Sequence, residues 1–272
     1  WRDVKRTHVF VVSSKGGTAR ELTPGDFDSP PYAASSNVDF SFSPDGKELA
    51  FVKNPDKVEA TSTNSDIYVV SLTGGAAKNI TSRNRGYDAT PVYTKDGRSI
   101  LYRSQATAGF EADRWRLMKY DRASGVSTEI VRGFDQQVDE FVPSPDGDSI
   151  YFVAGERGHH PIFKVSASGG RATKIFDDVF ATNLNITSDG RTLVFAHSSL
   201  AAPPEIYRGN INSGDFGPIT SMNRDLMTRA NLPAAEEMEW TGALGTKIHG
   251  FVVKPADFDA GKKYVQLNFL IS

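Results

Sequence analysis

Asn37-Val38-Asp39-Phe40-Ser41-Phe42, then Ser43-Pro44-Asp45-Gly46, then Glu48-Leu49-Ala50-Phe51-Val52: this stretch decides the fold. The first six residues alternate polar and apolar, the period-two signature of a strand buried on one face. In the tetrapeptide, proline presets φ at about −65°, aspartate accepts local amide hydrogen bonds, and glycine takes the positive φ that closes the turn. The apolar run from Glu48 reads as the partner strand. The turn returns intact as Ser144-Pro145-Asp146-Gly147, and altered as Thr94-Lys95-Asp96-Gly97 and Thr187-Ser188-Asp189-Gly190. Copies lie roughly 43 to 51 residues apart, the period of a four-stranded propeller blade.

A second unit recurs in phase with the first. Asp66 to Leu72 reads as a third strand, Thr73-Gly74-Gly75 as a tight turn and Lys78 to Thr81 as a short outer strand. The same order appears at His8–Val12 with Gly16-Gly17, at Arg116–Tyr120 with Ser124-Gly125, at Ile162–Val165 with Gly169-Gly170, and at Glu205–Arg208 with Ser213-Gly214. The segments are short, β-branched and aromatic, with Gly or Pro between them, which excludes helices. The expectation is an all-β chain: a β-propeller of about four and a half four-stranded blades over 1–220. It has a half-blade at 7–23 and full blades at 37–82, 89–131, 138–175 and 181–220. The half-blade lacks its inner pair, so missing blades are expected ahead of Trp1, and uncovered sheet edges predict self-association.

Composition narrows the partners. A formal charge of −2 over 272 residues gives no electrostatic case for nucleic acid or an anionic membrane. No apolar run approaches the ~20 residues of a membrane span. The chain has no cysteine, which excludes disulfides and thiolate chemistry.

The period breaks after Thr220. Residues 221–235 read as a linker, and 236–272 as the start of a second domain that stops at Ser272. Within it, Glu237–Thr241 and Lys247–Lys254 form a hairpin around Gly242-Ala243-Leu244-Gly245. Tyr264–Ile271 is a near-continuous apolar run, which suits a strand buried on both faces of an α/β sheet.

The order of a Ser-Pro-Asp-Gly propeller, a linker, and then Glu237…Trp240-Thr241-Gly242…Ile248-His249-Gly250-Phe251-Val252-Val253-Lys254-Pro255-Ala256-Asp257-Phe258-Asp259…Gly261-Lys262-Lys263-Tyr264 resembles the prolyl oligopeptidase family of serine peptidases. The nearest likeness is to its bacterial acylaminoacyl-peptidase and dipeptidyl-peptidase branch. The resemblance implies that the hairpin opens an α/β-hydrolase domain, and that the chain is the propeller region of a serine exopeptidase that gates and binds short peptides. It implies a periplasmic or secreted protein, with the cytoplasm as the alternative. No cofactor is implied. The proline usual after Lys-Lys-Tyr is absent here, so the register of the last strand is open. Catalysis in the family needs a G-x-S-x-G elbow with Asp and His. The chain contains neither that motif nor a His-Gly-Gly loop, so no catalytic residue is assigned and the 272 residues alone are expected to be inactive.

Binding residues are sought on the loops between second and third strands, where propeller insertions make the binding face. The longest run from Asn54 to Ser65 and from Ser104 to Arg114. Related peptidases hold a substrate's amino terminus with propeller acids, so Glu111, Asp113 and Arg114 are the substrate-binding candidates; the alternative is a solvated ion pair anchored by Phe110 and Trp115. Other motifs carry bland readings. His159-His160 reads as a polar turn without a third metal ligand. His249 reads as a packing or hydrogen-bonding residue, and Glu236, Glu237 and Glu239 as solvated strand faces. Asp45, Asp96, Asp146 and Asp189 read as turn formers because they repeat. Ser14-Lys15-Gly16-Gly17-Thr18 lacks phosphate-loop spacing. Asn79-Ile80-Thr81 and Asn185-Ile186-Thr187 fit the glycosylation pattern. Two rival readings stay open: a non-catalytic propeller scaffold of the Tol-system type, and a five-bladed ring closed by the C-terminal hairpin.

Overall fold

A computed structural model describes residues 5–31, 39–230 and 232–265. Four four-stranded antiparallel sheets follow one another, each meandering in chain order. Blade 1 comprises Phe40–Phe42, Glu48–Lys53, Asp66–Ser71 and Lys78–Asn79. Blade 2 comprises Asp88–Tyr93, Ser99–Ser104, Arg116–Asp121 and Val126–Glu129. Blade 3 comprises Val138–Pro143, Ser149–Ala154, Ile162–Ser166 and Thr173–Phe176. Blade 4 comprises Ala181–Ile186, Thr192–Ser199, Ala202–Asn210 and Phe216–Pro218. The architecture is the expected partial β-propeller. In front stands the two-stranded pair Phe10–Val11 and Arg20–Glu21. Behind stands a hairpin of Glu236–Thr241 and Lys247–Val252. The two pairs are separate sheets, so the hairpin does not close a ring on the front pair. Asn37 and Val38, and residues 266–272 of the expected last strand, lie outside the described residues.

All four turn signals fold alike, whether or not proline is present. Ser43 Oγ donates to Asp45 Oδ1 (2.6 Å) and accepts the Glu48 amide (2.9 Å), while Asp45 takes the Lys47 amide and Gly46 turns at φ 66°. Thr94 with Asp96, Ser144 with Asp146 and Thr187 with Asp189 repeat the same bonds. The hydroxyl and the following amide hold all four carboxyls below the usual range. Each carboxylate is satisfied by its own turn, which confirms the structural reading of these residues.

The second strands of blades 1 to 3 are sandwiched between neighbouring sheets, so they are buried along most of their length rather than alternating, whereas that of blade 4, Thr192–Ser199, is only partly buried. Leu49–Val52, Ile100–Tyr102 and Ile150–Ala154 are all buried. Clusters of such residues join the front pair to blade 1 and then each blade to the next.

Polar clasps at the start of the first strands reinforce this packing. Asp39 accepts the Thr90 amide of the next blade (3.0 Å). Glu140 accepts the amides of Asn183 and Leu184, each at 2.9 Å. Thr90 and Asn183 sit at φ 56° and 55° where the strand register shifts, so the kink aims their N–H groups at the preceding blade. Between blades 2 and 3, Arg103 does the joining: it donates to Thr90 Oγ1 (3.3 Å) and to the Asp139 carbonyl (2.5 Å).

The segment 221–235 is not wholly irregular. It contains a helix, Arg224–Ala230, free of Gly, Pro and β-branched residues except Thr228. Glu205, held low by the Thr220 hydroxyl and the Asn223 amide, accepts the Asn223 N–H (2.8 Å) just ahead of it.

Candidate functional site

The second-to-third loops and the starts of the first strands share one face of the sheets, as the pairings Asp88↔Ser104 and Val138↔Ala154 require. Three groups of charged residues gather there.

The first is the loop after Ser104, which carries the predicted Glu111, Asp113 and Arg114. Their roles diverge. Asp113 accepts the amides of Thr107 (2.7 Å), Ala106 (2.8 Å) and Arg114 (2.8 Å). Burial pushes its carboxyl up, but these amides outweigh it and hold it low. Asp113 therefore folds the loop. Arg114 donates to the Phe134 carbonyl (2.7 Å) and pairs with Glu129 (3.0 Å). It lines a cleft of about 680 Å³ with Arg132, Phe134 and Asp135. Glu111 gives its backbone carbonyl to Gln105 Nε2 (2.9 Å), and its side chain is exposed. The three are neighbours in the loop and do not converge on one point. Phe110 is exposed at 53%, so it is not the buried anchor expected; Trp115 is half-buried against Tyr87 and Arg103.

The second group was not read as one from the sequence: Asp39, Arg103 and Asp139 lie on or beside the first two strands, and His160 lies in the loop between Ala154 and Ile162. His160 stacks on Phe180 (4.1 Å between centroids), and its Nδ1 lies 3.4 Å from Asp139 Oδ2. Burial raises both Asp39 and Asp139, opposed by the Thr90 amide at the first and by His160 and Arg103 at the second. Burial also lowers Arg103 and lifts Tyr87 to about 12. A readable signal existed for Asp39 and for the clasp residues. Asp39, Thr90, Glu140 and Asn183 each stand four residues before a turn hydroxyl.

The third is a seam between blade 3 and the C-terminal hairpin. Arg157-Gly158, both at positive φ (52° and 76°), make a two-residue turn between Glu156 and His159. Across the seam Arg157 pairs with Glu239 (2.6 Å) and His159 Nε2 with Glu237 (2.8 Å). Glu237 also meets His249 Nε2 (3.2 Å), and Lys254 pairs with Glu236 (2.6 Å). Phe251 packs edge-on against both His159 and His249. The glutamates are therefore not merely solvated, as the sequence suggested: each has a cationic or imidazole partner. His159 and His160 point to different partners. Among the described residues no three His, Asp or Glu groups converge to hold a metal ion. Nor is any described helix long and apolar enough to cross a membrane. Asn79 donates to Asp66 Oδ2 and Tyr68 and is half-buried, which does not suit a glycosylation acceptor.

No protein-family model matches the chain. It is 31% identical over 265 residues to dipeptidyl-peptidase 5 of Porphyromonas gingivalis, covering 94% of this chain and 38% of that protein. The chain thus spans well under half the length of this relative. Among solved structures it resembles the acylaminoacyl peptidase of Pyrococcus horikoshii, with a TM-score of 0.67 at 14% identity, over 93% of this chain and 36% of that one. It also resembles a putative TolB from Agrobacterium tumefaciens, with a TM-score of 0.59 at 22% identity, over 78% of this chain and 73% of that one. At these identities the structural likenesses establish the propeller fold alone. Relatives named dipeptidyl-peptidase 5, together with this fold, bear out the resemblance read from the residues: the chain is a homologue of prolyl oligopeptidase-family peptidases.

Proposed function

We propose that this chain is the propeller region of a serine exopeptidase of the dipeptidyl- or acylaminoacyl-peptidase type, which admits short peptides and helps hold them. The nucleophile, its acid and its histidine lie outside these 272 residues, so the chain by itself is inactive. Residues 236–265 form the approach to the hydrolase domain. The chain's partners are short peptides, that catalytic domain and further blades; the exposed side chains of Phe10 and Phe42 favour self-association. The protein works in the periplasm or outside the cell. Of the loop residues, Glu111 and Arg114 meet substrate, and Asp113 fixes the loop that carries them.

One observation supports this reading above the others. Similarity to the peptidase of P. gingivalis extends over 94% of the chain, whereas the TolB-like neighbour accounts for 78%. A pure scaffold leaves the remainder unexplained. The test assays the natural protein carrying this chain on chromogenic dipeptidyl and N-acyl-aminoacyl anilides and on peptides of rising length. The expected result is hydrolysis that falls with peptide length, and a several-fold higher KM with little change in kcat for Glu111→Gln and Arg114→Gln. Absence of hydrolysis and of labelling by a fluorophosphonate serine probe overturns the reading and favours the scaffold.

A further inference from the structure

We propose that Glu237, bridging His159 and His249, is a protonation-dependent latch that holds the C-terminal hairpin against blade 3. The inference goes beyond the peptidase reading, because it concerns how this hairpin docks whatever follows it.

The seam is built from parts distant in sequence. His159 and Glu237 are 78 residues apart, Arg157 and Glu239 are 82 apart, and both pairs are at hydrogen-bond distance. Gly158 brings the turn close. A Cβ at this glycine would collide with the Phe251 ring, and its φ of 76° suits glycine. Within the hairpin, Glu239 rather than Glu237 is the register partner of His249, so Glu237 reaches His249 diagonally while its other oxygen faces His159. One carboxylate therefore ties the hairpin to itself and to the propeller.

Histidine is the side chain whose charge ordinarily changes between pH 5 and 8. A proton taken up by either imidazole beside a fixed carboxylate adds attraction, so docking tightens as pH falls through that range. Glu237 is itself held below the usual carboxylate range by the hydrogen bonds from His159 and His249, so it is the fixed negative charge of the bridge. At lower pH the latch weakens again when acid protonates Glu237.

The other charges around the bridge are accounted for. From blade 3, Arg157 is paired to Glu239 and Lys174 to Glu156 and Asp177, while exposed Asp178 lies 3.8 Å from His159 Nδ1. From blade 4, His197 accepts the Phe180 amide at Nδ1 (3.0 Å), and burial lowers it towards the neutral form. From the hairpin, Lys254 is paired to Glu236, and Lys247 lies at the opposite end, across from Thr241. The Arg157–Glu239 pair contains no imidazole and acts as a second tie.

The chain has no cysteine, so two introduced cysteines are its only thiols. Spin labels at Thr173→Cys, on the outer strand of blade 3, and Thr246→Cys, at the hairpin tip, report docking by pulsed dipolar spectroscopy on the natural protein carrying this chain, with any cysteine outside it replaced by serine. Circular dichroism confirms that each variant is folded. The expected result is one narrow distance at pH 6 and at least a twofold rise in the longer, broader component at pH 8.5. Glu237→Gln abolishes that pH response, and His159→Gln reduces it. Arg157→Gln loosens the hairpin at both pH values and leaves the response intact. A distribution that is unchanged from pH 6 to 8.5, or a pH response that survives Glu237→Gln, overturns the latch.

Discussion

Asp88 sets the direction in which stability depends on pH. Its side chain is fully buried between blades 1 and 2, where its amide bonds the Ser65 carbonyl (2.8 Å) and its Oδ1 accepts from Asn84 (2.8 Å). Burial raises the carboxyl to about 7, against the pull of the Ser104, Asn84 and Thr81 side chains; nearby Asp66 adds to the rise. In the unfolded chain it titrates at about 3.9. The folded state therefore holds the proton more tightly, and the unfolded state binds fewer protons through the window from about 4 to 7. Stability falls as pH rises through that window. At about 1.4 kcal/mol per pH unit, moving from pH 5 to pH 8 costs the wild type roughly 1.5–3.5 kcal/mol through this group. For a domain of this size that is a Tm loss of about 3–14 °C. Asn at position 88 can still accept from Asn84 and carries no charge. Urea midpoints at pH 5, 6, 7 and 8 for wild type and Asp88→Asn isolate the contribution, since every other group is common to both. The expected outcome is that the variant gains on the wild type steadily as pH rises. If both lose the same stability between pH 5 and 8, Asp88 is not carrying a buried proton and the reasoning fails.

Two further changes probe the clasp and the loop. Glu140→Ala removes the partner of two inter-blade amides; because Asn183 is exposed and water can replace its bond, the loss is about 1–3 kcal/mol, carried mainly by Leu184, with faster amide exchange at Asn183 and Leu184. Unchanged exchange at those two residues would refute the clasp. Asp113→Ala frees the amides of Ala106, Thr107 and Arg114, so limited proteolysis within 106–114 should accelerate several-fold while the global melting temperature holds. Equal cleavage rates would mean that the loop is ordered by something else.

What was legible follows from the range of each interaction. The turn hydroxyl, aspartate and glycine act within five residues, so their repetition announced both the blades and the structural role of Asp45, Asp96, Asp146 and Asp189. The continuous apolar second strands were legible for the same reason. The clasp crosses about fifty residues, and only its repeat position was visible: acid at 39 and 140, Thr and Asn at 90 and 183. The bridge from Glu237 to His159 had no local signal at all. On a strand, Glu237 and Glu239 share a face, and nothing in the alternation says that a blade loop covers it. Arg224–Ala230 was missed because it is a seven-residue segment with no apolar period to detect.

These ranges also say where chemistry can reside. On the face that carries the Ser/Thr-x-Asp-Gly turns, each aspartate takes a hydroxyl and an amide from its own turn, so its charge is committed locally and identically in every blade. On the opposite face no such rule holds. Asp39 and Glu140 depend on the next blade, Glu237 and Glu239 on a different sheet, and Asp139 Oδ2 is buried without a hydrogen bond. Groups whose partners come from elsewhere change protonation or exposure whenever blades or hairpin shift, whereas the turn aspartates are insulated from such movement. A ligand arriving at the propeller can exchange free energy with the fold only where that coupling exists. The proposed recognition face, shared by the long loops, Asp39, Asp139 and the hairpin seam, is the one where such coupling exists.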